Sequence, residues 1–513
     1  MNIRDRERQK AFWAYFGGKM IGLGIVVLGL WAVTWYFSTK AGAAMIGQTT
    51  PALKVDDVVN PINTTWTLVT AFLVFFMQAG FMFLEAGFAR TREVSNVMIS
   101  CIADTCLCAL LFWAFGFAFM FGSGNGWIGH QYFFLHGTPH TYGTTGVAFL
   151  AFFLFQYAFA DTCSTVTTGS MVGRTAFGGD LLYSVAVSGF IYPILGHWVW
   201  GPDGWLALMK TPFHDFAGST VVHSIGGFVA LAGAIALGPR IGRKFKRDGG
   251  GMPPGHDMAI AAVGGVILWF GWYGFNPGST LSAMDFEGIG RVATNTTLAA
   301  AAAGLVAMFV AYPRSHKWDT GISINGFLAG LVAITCPCYW VSPFGAICIG
   351  AIAGVVVIVG IDLLEHLRID DPIGAWPVHG LCGMWGTWSL GLFATGQYGL
   401  SGATGPDNSA PLAFKGLFYG GGFHQLQFQI FGSVVICACT FGIALVVMYA
   451  LKALGVLRIS AEHELEGLDI VEHGAPAYHP EYAYMGYSPI PSGKTGGVSI
   501  PKGAGSPSIS VGE

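Results

Sequence analysis

The sequence predicts an all-α protein that crosses a membrane many times. Of its 513 residues, 53% belong to the set AVILMFWYC and only 10% are charged, and there are 75 glycines. Soluble domains usually carry about 25% charged residues. The apolar residues form long runs, and within lipid only helices and closed barrels satisfy the backbone. Because these runs approach the roughly 20 residues that a spanning helix needs, we predict helices and not barrel strands.

The composition excludes several other classes of protein. The chain has 25 basic and 28 acidic residues, a formal charge of −3, so a nucleic-acid-binding surface is not expected. An aromatic content of 14% argues against disorder over most of the length. The ten cysteines lie in or beside apolar runs without a Cys-x-x-Cys pair, so we expect buried thiols and no metal site.

Twelve apolar segments are predicted to span the membrane. The first follows Arg4, Arg6, Arg8 and Lys10, and its apolar run is longer than the roughly 7–15 residues of a signal-peptide core. We therefore expect an uncleaved anchor helix, with a cleaved signal peptide as the alternative, followed by an eleven-helix core. The predicted spans are 20–37, 66–89, 97–121, 146–172, 179–200, 217–238, 258–279, 292–312, 322–341, 344–364, 373–396 and 427–455.

The positions of basic residues predict the orientation and the domain organisation. Cytoplasmic loops of membrane proteins are enriched in Lys and Arg, and here such residues concentrate on alternate loops. Those loops are predicted to be cytoplasmic, and an odd number of core helices places the C-terminus on the same side. We divide the chain into an N-terminal segment with anchor and external linker (1–63), the membrane core (64–457) and a cytoplasmic tail (458–513), disordered from about 486.

An internal repeat points to a site. Asp215 precedes His223 by eight residues, and Asp371 precedes His379 by the same spacing. Each Asp stands where a helix N-cap is expected. The first pair opens the fifth core helix and the second pair opens the tenth from the opposite side, so the core is predicted to consist of inverted five-helix repeats plus a last helix. Such repeats place sites near the midplane.

The helix geometry predicts that the two histidines meet. A rise of 1.5 Å per residue carries each imidazole roughly 12 Å into a hydrocarbon core about 30 Å thick. Ionisable side chains inside spans are costly and usually face the bundle interior or a conduction path. Either histidine alone would be interpreted as an interior residue with its hydrogen bonds satisfied, whereas the matched pair favours a functional role.

Aromatic and hydroxyl side chains are predicted near the outer ends of the helices. Trp200 ends one span and Ser279 ends another, with Phe275 one helical turn deeper on the same face, and Phe155 and Phe159 are also one turn apart. Such groups can attract a small cation through cation–π contacts. The alternative is an aromatic belt at the membrane interface.

Six motifs along the chain carry a family resemblance. They are FFMQAGFMFLEAGFAR, DFAGSTVVHS, LWFGWYGFNPGS, ATNTTLAAAAAG, IDDPIGAWPVHGLCGMWG and GLFYGGG, within the range Thr65 to Tyr478. In sequence and order they resemble the Amt branch of the ammonium transporter (Amt/Mep/Rh) family. The resemblance implies an eleven-helix protomer, a homotrimer with one pore in each subunit, and a place in the bacterial inner membrane.

The resemblance also implies roles for individual residues, without a catalytic residue, cofactor or metal. Those roles are ammonium recruitment for Trp200, Phe159, Ser279 and Asp215, an aromatic gate for Phe159 and Phe275, and a twin-histidine pore for His223 and His379. The implied function is transport of ammonium and methylammonium. In it the cation is recruited and deprotonated, ammonia passes the histidines, and we predict net transfer of the proton.

Two alternatives to transport remain at this stage. One is an ammonium sensor that acts through a partner protein. The other is a membrane oxidoreductase with the paired histidines as haem ligands, although we expect no enzymatic activity. The segment from Arg458 to Gly474 resembles the family's cytoplasmic tail, which implies a PII-type regulator as partner. The loop residues His130, His136 and His140 are interpreted as incidental and not as a metal site.

Overall fold

The computed structural model describes residues 54–399 and 413–478, and every structural statement below concerns those two ranges. The predicted helix at 20–37 and the disorder predicted from about 486 lie outside the described residues. The chain divides into two units, and the helical architecture belongs to the unit that begins at Asn60.

Long apolar helices dominate the described residues. In chain order, the segments are α1 (Asp56–Phe88), α2 (Val94–Phe121), α3 (Phe149–Thr168), α4 (Phe177–Trp200), α5 (Ser219–Leu237), α6 (Met258–Thr280), α7 (Phe286–Ser315), α8 (Thr320–Thr335), α9 (Pro343–Leu367), α10 (Trp376–Leu381 with Cys382–Phe393) and α11 (His424–Ala453). All except α8 and α10 are long and apolar enough to cross a membrane. The prediction of an all-α polytopic membrane protein is therefore confirmed, whereas the exact number of spanning helices stays a prediction.

The predicted boundaries differ from the structure at several helices. Helix α1 begins at Asp56, earlier than the predicted residue 66, and α8 ends early. The span was predicted to continue to residue 341, but the helix ends at Thr335. Pro337 has no backbone N–H with which to continue the helical hydrogen-bond ladder, which accounts for the earlier end. Smaller elements lie outside the long helices: strands Thr141–Tyr142 and Val147–Ala148, 3₁₀ turns Phe133–Leu135, Lys246–Asp248 and Leu417–Tyr419, and helices α12 (Ala461–Glu466) and α13 (Leu468–His473).

Side-chain caps begin several helices. Asp257 accepts hydrogen bonds from the first amides of α6, Asp319 from Ile322 in α8, and Ser342 from Gly345 in α9. Each cap satisfies backbone N–H groups that a helix start leaves without partners.

Helices α5 and α10 are matched in detail and pack tightly together. Each begins with a six-residue π-helical turn, Ser219–Ser224 in α5 and Trp376–Leu381 in α10. A Cβ added to Gly227 of α5 would lie 2.3 Å from the backbone nitrogen of Gly380 in α10, so only glycine permits this approach. The two helices that carry the paired histidines are thereby held in direct contact.

Ion pairs gather at one end of the helical unit. Asp370, just before α10, pairs with Arg240 at 2.8 Å and with Arg243 at 3.2 Å, and Arg458 pairs with Glu464 at 2.8 Å. Arg458 also donates to the carbonyl of Leu237, the last residue of α5. We call this the basic end, defined by Arg240, Arg243 and Arg458. The segment after α11 therefore returns to the end at which α5 terminates.

Candidate functional site

The paired histidines meet in the structure. The Nδ1 atoms of His223 and His379 lie 3.2 Å apart, at hydrogen-bonding distance, and the two rings are tilted by 32° with centroids 5.2 Å apart. Both side chains are buried. In such a contact one Nδ1 donates and the other accepts, so the two imidazoles share one proton between them. The contact predicted from the mirrored spacing is thus present.

Aromatic rings surround His223. Its imidazole stacks on Trp272 with a centroid distance of 5.0 Å and on Phe275 with a distance of 5.2 Å. Its Nε2 atom is buried and has no hydrogen-bond partner among the described residues. This side of the histidine pair is therefore apolar apart from one free ring nitrogen.

The two aspartates hold the starts of the histidine helices. Asp215 accepts four backbone N–H bonds of 2.8–3.0 Å from residues 218–221, two on each oxygen. Asp371 accepts three of 2.9–3.0 Å from residues 374–376. The third residue after each Asp is a glycine with positive φ, +112° at Gly218 and +83° at Gly374, which lets the loop fold over the carboxylate. Both aspartates therefore act as helix caps.

A cavity of about 200 Å³ lies on the far side of the aromatic rings from the histidine pair. We call it the outer cavity; it brings together Trp200, Phe159 and Ser279, which were predicted for cation recruitment. Asp215, predicted with them, is not among the lining residues. Its backbone carbonyl accepts a 2.8 Å hydrogen bond from the indole nitrogen of Trp200, so it orients that ring and does not face the cavity.

The rings of Phe159 and Phe275 separate the outer cavity from the histidines. They stack with centroids 4.0 Å apart and an angle of 26° between their planes. Phe155 packs against Phe159 at 4.7 Å, and Trp200 meets Phe159 edge to face at 6.1 Å. The two residues predicted as a gate are therefore in contact, and the stack continues from Phe275 to His223.

Several residues at this site were not found from the sequence. Gln156, Phe216 and Leu281 also line the outer cavity. Trp272 lies three residues before Phe275, so the helical repeat could have placed it on the same face. No comparable signal marked Phe216 or Leu281, because their loops fold over the cavity only in three dimensions.

A second set of cavities lies on the other side of the histidine pair. A cavity of about 320 Å³, which we call the inner cavity, is lined by His379 together with Glu85 and Asn325 and otherwise by apolar groups. Asn325 and Gly374 also line a larger vestibule of about 950 Å³, which includes Lys317 and Trp318. The order of these features is therefore outer cavity, ring stack, histidine pair, inner cavity and vestibule.

Charged residues pair strongly around the loop that precedes Asp371. Burial alone would raise the pKa of Asp370, but the positive charges of Arg174 and Arg240 hold it well below its usual range. Arg174 donates to the backbone carbonyl of Asp370, and Arg240 bonds both of its carboxylate oxygens. These contacts fix the loop that leads into Asp371 and α10.

Comparison with known proteins identifies one family along most of the chain. A family model described as the Ammonium Transporter Family matches residues 65–478. The ammonium transporter Amt2 of Archaeoglobus fulgidus is 44% identical over 429 residues, which cover 82% of this chain and 88% of that protein. Ammonium transporter 1 member 3 of Solanum lycopersicum is 38% identical over 444 residues, covering 82% and 94%.

Solved structures give the same fold. A structure described as a sensor Amt protein has a TM-score of 0.73 and 37% identity, and the match covers 82% of this chain and all of that one. The structure of Mep2 from Candida albicans has a TM-score of 0.71 and 27% identity, with 81% and 90% covered.

Proposed function

Because the chain belongs to the ammonium transporter family, we propose that it moves ammonium across the membrane by recruiting the cation, removing one proton and conducting ammonia past His223 and His379. The proton crosses as well, so that the net species transported is the cation. The observation that carries this proposal is the 3.2 Å contact between two imidazoles from mirrored helices.

Recruitment takes place in the outer cavity. Ammonium and potassium are similar in size, but ammonium donates hydrogen bonds and potassium does not. The Ser279 hydroxyl donates to the carbonyl of Phe275 at 2.8 Å, which leaves its lone pairs to accept from ammonium. The faces of Trp200 and Phe159 replace part of the lost hydration through cation–π attraction. Methylammonium, which keeps three N–H donors, is the expected analogue.

Deprotonation follows because the path beyond the cavity is apolar. The ring stack of Phe159 and Phe275 leads to the imidazole of His223, which also stacks on Trp272. A bare cation in the middle of a membrane costs several kcal/mol or more, whereas neutral ammonia does not meet this barrier. The histidine pair accepts the proton and passes it along the shared Nδ1 contact.

The test compares ammonium-driven current and labelled methylammonium uptake in proteoliposomes for wild type and H223A. We expect both to fall by at least tenfold. The matched control is H197A, because His197 is also buried but bonds only to the backbone carbonyls of Met120 and Asn125. An H223A current with unchanged size and ion selectivity would remove His223 from the mechanism, provided that the variant elutes as the wild type.

A sensor function is the second candidate, and it is favoured by the likeness to a structure described as a sensor Amt protein. A sensor binds ammonium without significant flux and passes the signal to a partner. Labelled methylammonium uptake in a strain without its own ammonium transporters separates the two functions. Uptake above the level of the empty strain supports transport, whereas binding to the purified protein without uptake supports the sensor.

The setting proposed for this function is a homotrimer in the bacterial plasma membrane. The basic end faces the cytoplasm by the positive-inside rule, and the segment after α11 lies there with Arg458 and Glu464 in contact. The C-terminus is therefore cytoplasmic, where a PII-type regulator has access to it. Cross-linking gives the oligomeric state, and a protease-accessible C-terminal tag reports its side of the membrane.

No enzymatic activity is proposed. A haem group bound between the two imidazoles would need room for its ring between them, whereas the Nδ1 atoms of His223 and His379 lie in direct hydrogen-bonding contact at 3.2 Å. We therefore expect the purified protein to have no Soret absorption band, and a haem band would favour the oxidoreductase alternative.

A further inference from the structure

Glu85 of α1 is a buried carboxyl group in the wall of the pathway. It lines the inner cavity together with His379, and only 3% of its surface is exposed. Both of its oxygens lie 2.9 Å from the hydroxyl oxygen of Thr168, within hydrogen-bonding distance. Among the described residues, Glu85 takes part in no ion pair. The proposed mechanism does not use the carboxyl group of Glu85.

The surroundings of Glu85 do not compensate a negative charge. His379 is the only basic side chain among the described residues that line the inner cavity. Glu85 also lines a neighbouring cavity of about 310 Å³, where the other acid is Asp180 of α4, whose Oδ2 atom has no hydrogen-bond partner among the described residues. A buried carboxylate without a counter-charge costs free energy. The carboxyl group is therefore expected to be neutral until a cation or a base arrives in the cavity.

Asn325 of α8 completes the polar part of this cavity. Its amide nitrogen donates to the carbonyl of Ile373 at 2.9 Å, which orients the side chain at the junction of the inner cavity and the vestibule. An amide oxygen and a carboxyl group are both acceptors for N–H groups. A molecule leaving the histidine pair thus reaches hydrogen-bond acceptors before it reaches the vestibule.

We propose that Glu85 returns the proton to ammonia at the inner end of the pore and then holds the resulting ammonium ion before its release past Asn325. This inference rests on the proposed function. In the step, the O–H bond of the Glu85 carboxyl breaks and an N–H bond forms on ammonia, giving a carboxylate and ammonium. The ammonium ion leaves for the vestibule, and the carboxylate takes the next proton from the protonated histidine pair. No oxidant, reductant or other co-reactant is needed.

The test measures charge moved per molecule of methylammonium in the same proteoliposomes, from current and labelled uptake. The variants are E85Q and E85M. The test uses whichever of them elutes at the same volume as the wild type. We expect wild type to move about one charge per methylammonium and the variants to move at least fivefold less, because neutral methylamine still passes but its proton is not delivered. E85D, which keeps the carboxyl group, is expected to stay within twofold of wild type.

The matched control is D104N. Asp104 of α2 is also a fully buried acid, in contact with the Ser184 hydroxyl, but it lines none of the cavities described above. The charge that D104N moves per methylammonium should remain within twofold of wild type. The role of Glu85 is overturned if E85Q or E85M moves as much charge per methylammonium as the wild type. It is also overturned if D104N or E85D loses as much of this charge as E85Q or E85M. Either result leaves the proposed transport intact. A ratio of zero in wild type overturns both net proton transfer and this inference.

Discussion

The caps of the two histidine helices give a quantitative prediction. In D215N one carboxylate oxygen becomes an NH₂ group, which cannot accept. The amide oxygen can keep two of the four N–H bonds, so two are lost whichever way the side chain turns. In D371N the amide oxygen can keep the bonds from Gly374 and Ala375 and lose only that from Trp376.

The expected magnitudes follow from the number of bonds lost. Hydrogen bonds to a charged group contribute about 1.5–3 kcal/mol each, so D215N should lower the free energy of unfolding by about 3–6 kcal/mol and D371N by about half as much. Both caps are buried, so water cannot replace the missing acceptors. The exposed cap Asp319 is the matched control, because an asparagine there keeps its one bond to Ile322 and should leave stability unchanged.

The assay is SDS titration of the protein in mixed micelles, followed by tryptophan fluorescence. D215N should unfold at the lowest SDS fraction, D371N at an intermediate fraction and D319N with the wild type. A D371N variant that is as unstable as D215N would refute the count of bonds as the source of the difference. A D319N variant as unstable as either would show that charge, and not bonding geometry, sets the effect.

Three further predictions concern the outer cavity, the ring stack and the basic end. S279A removes one hydrogen-bond acceptor for ammonium, which should cost roughly 0.5–1.5 kcal/mol of binding free energy. The KM for methylammonium should therefore rise about 2- to 12-fold in uptake assays, with less change in inhibition by potassium. An unchanged KM would contradict recruitment by Ser279. F159A removes one of the two rings that stack at 4.0 Å, those of Phe159 and Phe275. We expect the potassium current in proteoliposomes to rise above that of wild type. Continued exclusion of potassium would contradict a gating role for Phe159. In the folded protein the pKa of Asp370 is held below the value of about 3.9 that it has in the unfolded chain. The ionised carboxylate therefore stabilises the fold above about pH 3.9, and this stabilisation is lost as the pH falls through the folded pKa. The stability difference between wild type and D370N should therefore shrink below about pH 4 in thermal unfolding, and a difference that grows would contradict the sign.

Part of the candidate site could be predicted because it depends on local spacing. The eight residues between each Asp and His, together with the fixed rise of a helix, predicted that His223 and His379 would approach each other from opposite ends. The same periodicity placed Phe275 one turn from Ser279. The resemblance to a family then implied which aromatic residues gather around them, and the structure brings Trp200, Phe159 and Ser279 into one cavity.

The sequence alone determined the class of fold, because burial of long apolar runs and the need to satisfy every backbone group within lipid leave helices as the solution. The sequence pattern placed Asp215 at a helix N-cap, but it could not show that this residue stays out of the outer cavity, since that depends on which way a loop folds around one carboxylate. It also gave no sign that Glu85 of α1 shares a cavity with His379 of α10. That proximity arises from packing between helices distant in the chain, where side-chain shape and close glycine contacts, and not local spacing, decide which groups meet.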